Sequence, residues 1–158
     1  MNKLSFKKHL VTFLATATYL GLLPLMPGTF GTLWGVLLAW LLLPLGWPLY
    51  VTATLVLILV AFWSAIQYER ITLRHDPQEI VIDEVVGYLV TMIALPATGL
   101  ALLAGFLVFR FFDIVKPFPI GWVDRKIPGG FGTVLDDLLA GVFGSVVLQL
   151  VQWRWHCF

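Results

Sequence analysis

The chain is built from long apolar runs, and the short polar interruptions between them carry its pattern. Residues 9–68 contain no Asp, Glu, Lys or Arg. A single membrane-spanning helix needs only roughly 20 apolar residues, so this stretch must fold back on itself, and Pro44, Gly46 and Pro48 mark where. Residues 33–43 and 49–64 read as apolar helices, the second continuing through Gln67, Glu69 and Arg70 until His75, Asp76 and Pro77 break it. Residues 79–95 predict a helix that starts polar and turns apolar after Glu84. The chain then turns at 96–99, runs apolar through 100–115 to Lys116 and Pro117, and ends on a helix over 133–152 that opens on Asp136 and Asp137. No stretch shows the alternation of a membrane β-barrel strand.

Residues 1–26 place Lys3, Lys7 and Lys8 ahead of an apolar stretch. That order imitates a secretory signal. The sequence Tyr-Leu-Gly-Leu-Leu-Pro at 19–24 makes a poor cleavage site, however, and the next segment is itself membrane-like. The expectation is an N-terminal helix that lies at the membrane interface or dips into it. The whole pattern predicts an all-α, polytopic helical membrane protein in a single domain, with about six helices and roughly five crossings. Several runs fall short of about 20 residues, so tilt or extension beyond the apolar layer must supply the length.

Composition agrees: of the 158 residues 59% are hydrophobic and 12% charged, with a mean hydropathy of +0.92, whereas soluble domains carry about 25% charged residues. A net charge of +1 offers no basis for a nucleic-acid partner. The single Cys157 leaves no internal disulfide, no cysteine zinc cluster and no central cysteine nucleophile. With residues 27–32 facing the cytoplasm and five apolar segments crossing in turn, every Lys and Arg except Arg154 falls on the inner side, as the positive-inside rule expects. All the acids fall there too.

Those acids form three foci: Glu79 with Asp83 and Glu84, then Asp113, then Asp136 with Asp137. Each sits within about a turn of an apolar segment on one membrane side. Converging carboxylates repel unless a cation neutralises them, and all-oxygen donors favour Mg²⁺ over zinc. Blander readings exist: acids at a helix start favour the macrodipole, and Asp113 stands three residues from both Arg110 and Lys116, the spacing of a helical ion pair. Acids at membrane depth are costly and usually functional, which weighs against coincidence at all three foci. His9, His75 and His156 are scattered and read as surface or interfacial.

A second signal is a duplicated motif. Pro-Gly-Thr-Phe-Gly-Thr at 27–32 and Pro-Gly-Gly-Phe-Gly-Thr at 128–133 share Pro-Gly-x-Phe-Gly-Thr, each before an apolar helix. Read as loops, they let backbone amides converge at a helix start, an arrangement that binds phosphate. Thr29, Gly31 and Gly130 are the candidate cradle residues, with Arg110, Lys116 and Arg125 as nearby cations. The alternative is that Gly and Pro merely punctuate helix starts. Carboxylates for a metal, glycines for phosphate and cations on one face suggest phosphoester chemistry on a lipid headgroup.

The longer motifs Ile-Asp-Glu-Val-Val-Gly (82–87), Phe-Arg-Phe-Phe-Asp-Ile-Val-Lys-Pro-Phe-Pro (109–119) and Gly-Gly-Phe-Gly-Thr-Val-Leu-Asp-Asp-Leu-Leu-Ala-Gly (129–141), with Pro-Gly-Thr-Phe-Gly upstream, resemble the phosphatidylglycerophosphatase A family. The resemblance runs from about residue 27 to the last helix. It implies a Mg²⁺-dependent phosphatase of the bacterial inner membrane, whose active site the charge-based topology above puts on the cytoplasmic side. Its reaction would take the terminal phosphate from phosphatidylglycerophosphate to give phosphatidylglycerol. It also implies a compact helical fold with one central helix. Carried onto this chain it marks Asp83, Glu84, Asp113, Asp136 and Asp137 as the family's acidic motif residues, read here as metal ligands and all but Asp136 also as catalytic, with Lys116 as a phosphate contact. Other readings are a lipid-phosphate transferase, although the spaced Asp-Gly-Ala-Arg pattern of one such class is absent, or a non-enzymatic membrane protein such as a small ion-coupled transporter or assembly factor.

Overall fold

A computed structural model describes residues 3–74, 77–155 and 157. Among these are seven α-helices and no strand: α1 (Lys3–Ala15), α2 (Pro27–Leu42), α3 (Trp47–Thr72), α4 (Ile82–Thr91), α5 (Gly99–Val115), α6 (Ile120–Lys126) and α7 (Gly130–Trp155). Short 3₁₀ turns follow α1 and α2, at Leu20–Leu22 and Leu43–Leu45. The all-helical expectation holds. The count of six misses α6, which forms within a Pro-, Gly- and charge-rich stretch that reads as irregular. His75, Asp76 and His156 lie outside the described residues, and His9 is exposed.

Among the described residues three segments are long and apolar enough to cross a membrane: Pro27–Leu45, Trp47–Thr72 and Gly130–Trp155. Their outward faces are as apolar as their inward ones, with Leu55, Leu59, Val146 and Leu150 exposed. The inward faces instead use small residues, Ala61 and Ala65 on α3, Gly35 and Ala39 on α2, Ala140 and Gly141 on α7. This is how helices pack when lipid removes the incentive to bury large side chains.

At the centre is α4, apolar on almost every face and packed against α2, α3, α5 and α7. Every residue of it except Glu84 is buried. Its approach to α7 is backbone on backbone. A methyl group on Gly141 would stand 2.3 Å from the Gly87 carbonyl oxygen, and one on Gly87 would stand 2.8 Å from that of Asp137. No residue but glycine fits that crossing without moving a helix.

With 10 residues, α4 is about 15 Å long, roughly half the apolar layer. It ends inside the bundle, with Leu89, Val90, Thr91 and Met92 buried, so carbonyls there and in the turn that follows need partners from protein. Tyr50 of α3 donates to the Leu89 carbonyl at 2.6 Å, and Gln149 of α7 donates to that of Ile93 at 3.2 Å. Beyond Thr91 the apolar run continues, but Ala94 adopts a left-handed φ of 61° and Pro96 follows, so the helix stops short of the sequence reading.

Two boundaries need correction because the first copy of the repeated motif lies inside α2 and the second enters α7 at its third residue. α2 begins at Pro27, with Met26 as a left-handed N-cap, and α7 begins at Gly130. Proline's fixed φ suits a first helical position, and Thr32 and Thr133 bond back to the carbonyls of Gly28 and Gly129 at 2.9 and 3.3 Å. The N-terminal segment returns to the bundle end where α4 starts: the Val81 amide donates to the Ala15 carbonyl at 3.0 Å. Gly21 packs directly on the Glu79 carbonyl. Residues 16–26 thus turn back at that end rather than running the bundle's length.

Candidate active site

The starts of α2, α4 and α7 and the end of α5 meet at one end of the bundle. They enclose a cleft of ≈ 430 Å³ lined by Gly28, Thr29, Asp83, Glu84, Arg110, Asp113, Lys116, Thr133, Asp136 and Asp137, with Met26 and Ile114 at its apolar edge. Asp83 and Glu84 occupy the first turn of α4. Asp136 and Asp137 come two turns into α7, and Arg110 and Asp113 come from the last turns of α5. Lys116 caps α5 in a left-handed conformation, φ 44°, which swings its side chain back over the cleft.

The carboxylates sort into two groups. Asp83, Glu84 and Asp137 each present an oxygen, and the three lie within 4.8 Å of one another. Asp83 and Asp137 are both 4% exposed, and Glu84 Oε2 is buried without a hydrogen-bond partner. The Glu84 amide donates to Asp83 Oδ1 at 3.0 Å, fixing one side of the trio. Three close carboxylates with an orphaned oxygen are a donor set that fits a metal ion, and oxygen-only ligands fit a hard divalent cation.

The other acids hold cations. Arg110 Nη1 donates to Asp113 Oδ2 at 2.5 Å, the helical ion pair that the spacing allowed. Lys116 Nζ donates to Asp124 Oδ1 at 2.6 Å and also to Asp136 Oδ2. Burial of the amine works against its charge, but Asp124 and Asp136 outweigh it and hold the Lys116 pKa above the ordinary lysine value. Asp136 is thereby drawn from the trio towards Lys116, while Asp113 remains beside Asp137.

Three of the expected phosphate contacts lie elsewhere. Arg125 is exposed on α6, away from the cleft lining. Gly31 is buried in α2, where a methyl group would meet Val81 at 2.8 Å and Glu84 at 3.3 Å. The Gly130 amide already donates to Glu69 Oε2 at 2.7 Å. A converging-amide cradle at Gly130 is corrected on that ground. Glu79 faces away from the trio to pair with Arg74 at 2.9 Å. Two residues had no role in the sequence reading: Asp124, hidden among other charges within the helix α6 that was not expected, and Glu69, whose partner is 61 positions away.

Fold and site together define a class: an all-helical membrane protein with a cleft at one end in which buried carboxylates face an arginine and a lysine. The chain belongs to the phosphatidylglycerophosphatase A family, whose model matches residues 13–152. It is 36% identical over 136 residues to phosphatidylglycerophosphatase A of Escherichia coli (strain K12), covering 85% of this chain and 79% of that protein. It is 37% identical over 135 residues to the Haemophilus influenzae protein of the same name, covering 84% and 83%. A Bacteroides thetaiotaomicron protein provisionally named a phosphatidylinositol-3-phosphatase is 33% identical over 141 residues, covering 84% and 87%. No solved structure matches. The relatives are bacterial, and the family is one of phosphatases.

Proposed function

We propose that this protein hydrolyses the terminal phosphate of phosphatidylglycerophosphate, giving phosphatidylglycerol and inorganic phosphate, with Mg²⁺ held by Asp83, Glu84 and Asp137. The observation that carries the proposal is the convergence of those three carboxylates, within 4.8 Å, in a cleft that also presents Arg110 and Lys116. Bound there, the ion would polarise the phosphoryl oxygens and acidify the attacking water. Arg110 and Lys116 offset the charge that develops on those oxygens, and Asp113, Asp124 and Asp136 hold both cations in place. Thr29, in the first turn of α2, adds a hydroxyl to the cleft wall. The water's proton passes to one of the trio, which among the described residues form an ion pair with neither Arg110 nor Lys116.

The protein acts as one membrane-embedded unit in the bacterial inner membrane. In this arrangement α2, α3, α4 with the turn after it, α5 and α7 cross in alternation. Arg70, Arg74, Arg110, Lys116, Arg125 and Lys126 sit at the cleft end and Arg154 at the far end of α7, a distribution that supports a cytoplasmic cleft under the positive-inside rule. The relative named for a phosphoinositide supports a second reading, the same chemistry on a different headgroup. Phosphate release by the purified protein in mixed micelles decides between them, with phosphatidylglycerophosphate and phosphatidylinositol 3-phosphate as parallel substrates, each with Mg²⁺ or a chelator. Mg²⁺-dependent release from the first is expected. Release from the second alone favours the alternative, and none from folded protein overturns both.

A further inference from the structure

Beside the cleft is a second cavity, ≈ 690 Å³, to which the sequence assigned nothing. The two share Pro27, Pro77 and Gln78 as common walls, so they are neighbouring chambers rather than separate sites. The second one is amphipathic. Arg74 and Glu79 line it, joined by the 2.9 Å pair between Nη1 and Oε1. The guanidinium side chain is 67% exposed and that of Glu79 29%, so the pair leaves most of the arginine's donor fork free for a ligand. On the other wall, Leu22 and Leu23 are 49% and 39% exposed.

We infer that this cavity receives the inner phosphodiester of the lipid and the glycerol beside it, with Arg74 as the residue that recognises the diester. The inference rests on the reading above, in which the terminal phosphate occupies the cleft. The substrate carries two phosphates one glycerol apart, and the protein offers two adjoining chambers, each with its own cation. Arginine suits the task because its planar fork bonds two phosphate oxygens at once. Leu22 and Leu23 meet the apolar part of the lipid where it leaves the headgroup. Glu79 holds Arg74 over the chamber, so a site that the carboxylate trio does not reach gains a fixed positive group.

Two water-soluble probes separate the chambers: glycerophosphoglycerol, which has the diester and no terminal phosphate, and inorganic phosphate, which has no diester. Binding of each is measured by calorimetry on the full-length protein in micelles, alongside steady-state phosphate release. Arg74→Ala is expected to weaken glycerophosphoglycerol about tenfold, the scale of a charge-assisted hydrogen bond, and to raise KM for the lipid by a similar factor. Phosphate binding and kcat stay at wild-type values, and Arg74→Lys recovers part of the loss. No binding of the diester to wild-type protein, or equal weakening of both probes in Arg74→Ala, overturns the assignment. If the diester binds through Arg74 while no phosphate is released from the lipid, the cavity assignment stands and the proposed reaction fails.

Discussion

The two copies of Pro-Gly-x-Phe-Gly-Thr lie at the starts of two helices, α2 from the motif's proline and α7 from its third residue, and serve different ends. In each, a glutamate approaches the first glycine: Glu84 at Gly28, and Glu69 at Gly129. In each, the final threonine bonds back into its own helix. At Gly28 the glutamate belongs to the carboxylate trio, and Arg110 stands beside it, so the first copy is a wall of the cleft. At Gly129 the glutamate comes from α3 and takes the Gly130 amide, so the second copy is a joint between α3 and α7. The chemistry of the second copy lies further along, where Asp136 and Asp137 stand at the positions that Gly35 and Val36 hold in the first. A shared glycine motif therefore marks a close helix approach, and the residues brought near it decide whether it serves catalysis or assembly.

The comparison can be broken from either side. The largest effect is expected downstream of the second copy: Asp137→Asn removes a member of the trio and should lower phosphate release by more than about 100-fold, with the thermal transition retained. In the first copy, Gly28→Ala places a methyl group 2.3 Å from Glu84 Oε1, the far end of a flexible side chain rather than backbone. The expected result is a loss of about 10- to 100-fold in kcat from misplacing Glu84, with an unchanged melting temperature.

In the second copy, Gly130→Ala puts the methyl group 2.7–2.9 Å from the Ala65 and Ile66 backbone, which has no such freedom. It should destabilise the protein by about 1–3 kcal/mol, read as a lowered melting temperature, while the fraction still folded keeps its turnover. Glu69→Ala should act in the same direction and less, about 1 kcal/mol, as the loss of a helix cap does. If Gly28→Ala costs stability and Gly130→Ala costs only turnover, the division between the two copies is reversed.

Much of this arrangement was legible because the chain spends its charges so sparingly. Asp83, Glu84, Asp113, Asp136 and Asp137 were marked by their isolation at the ends of apolar runs, and the structure brings all five to one cleft. What the pattern hid was set by packing. Gly130 reads as a flexible loop residue, but it lies inside a helix start because only a hydrogen fits against α3. The apolar stretch at 85–95 reads as one helix, yet α4 ends at Thr91, where Ala94 turns left-handed and Tyr50 and Gln149 satisfy the carbonyls of Leu89 and Ile93. The division of these five acids into a close trio and two that hold cations depends on which helices neighbour which, and no spacing along the chain states that.

The central claim is that Asp83, Glu84 and Asp137 together hold a divalent cation. Mn²⁺, a spectroscopically visible stand-in for Mg²⁺ with the same preference for oxygen ligands, tests it most directly by electron paramagnetic resonance on the purified protein. The account predicts saturable Mn²⁺ binding that Mg²⁺ displaces and that Asp137→Asn weakens by at least about tenfold. Binding of equal strength in wild type and variant, or none in wild type, would contradict it.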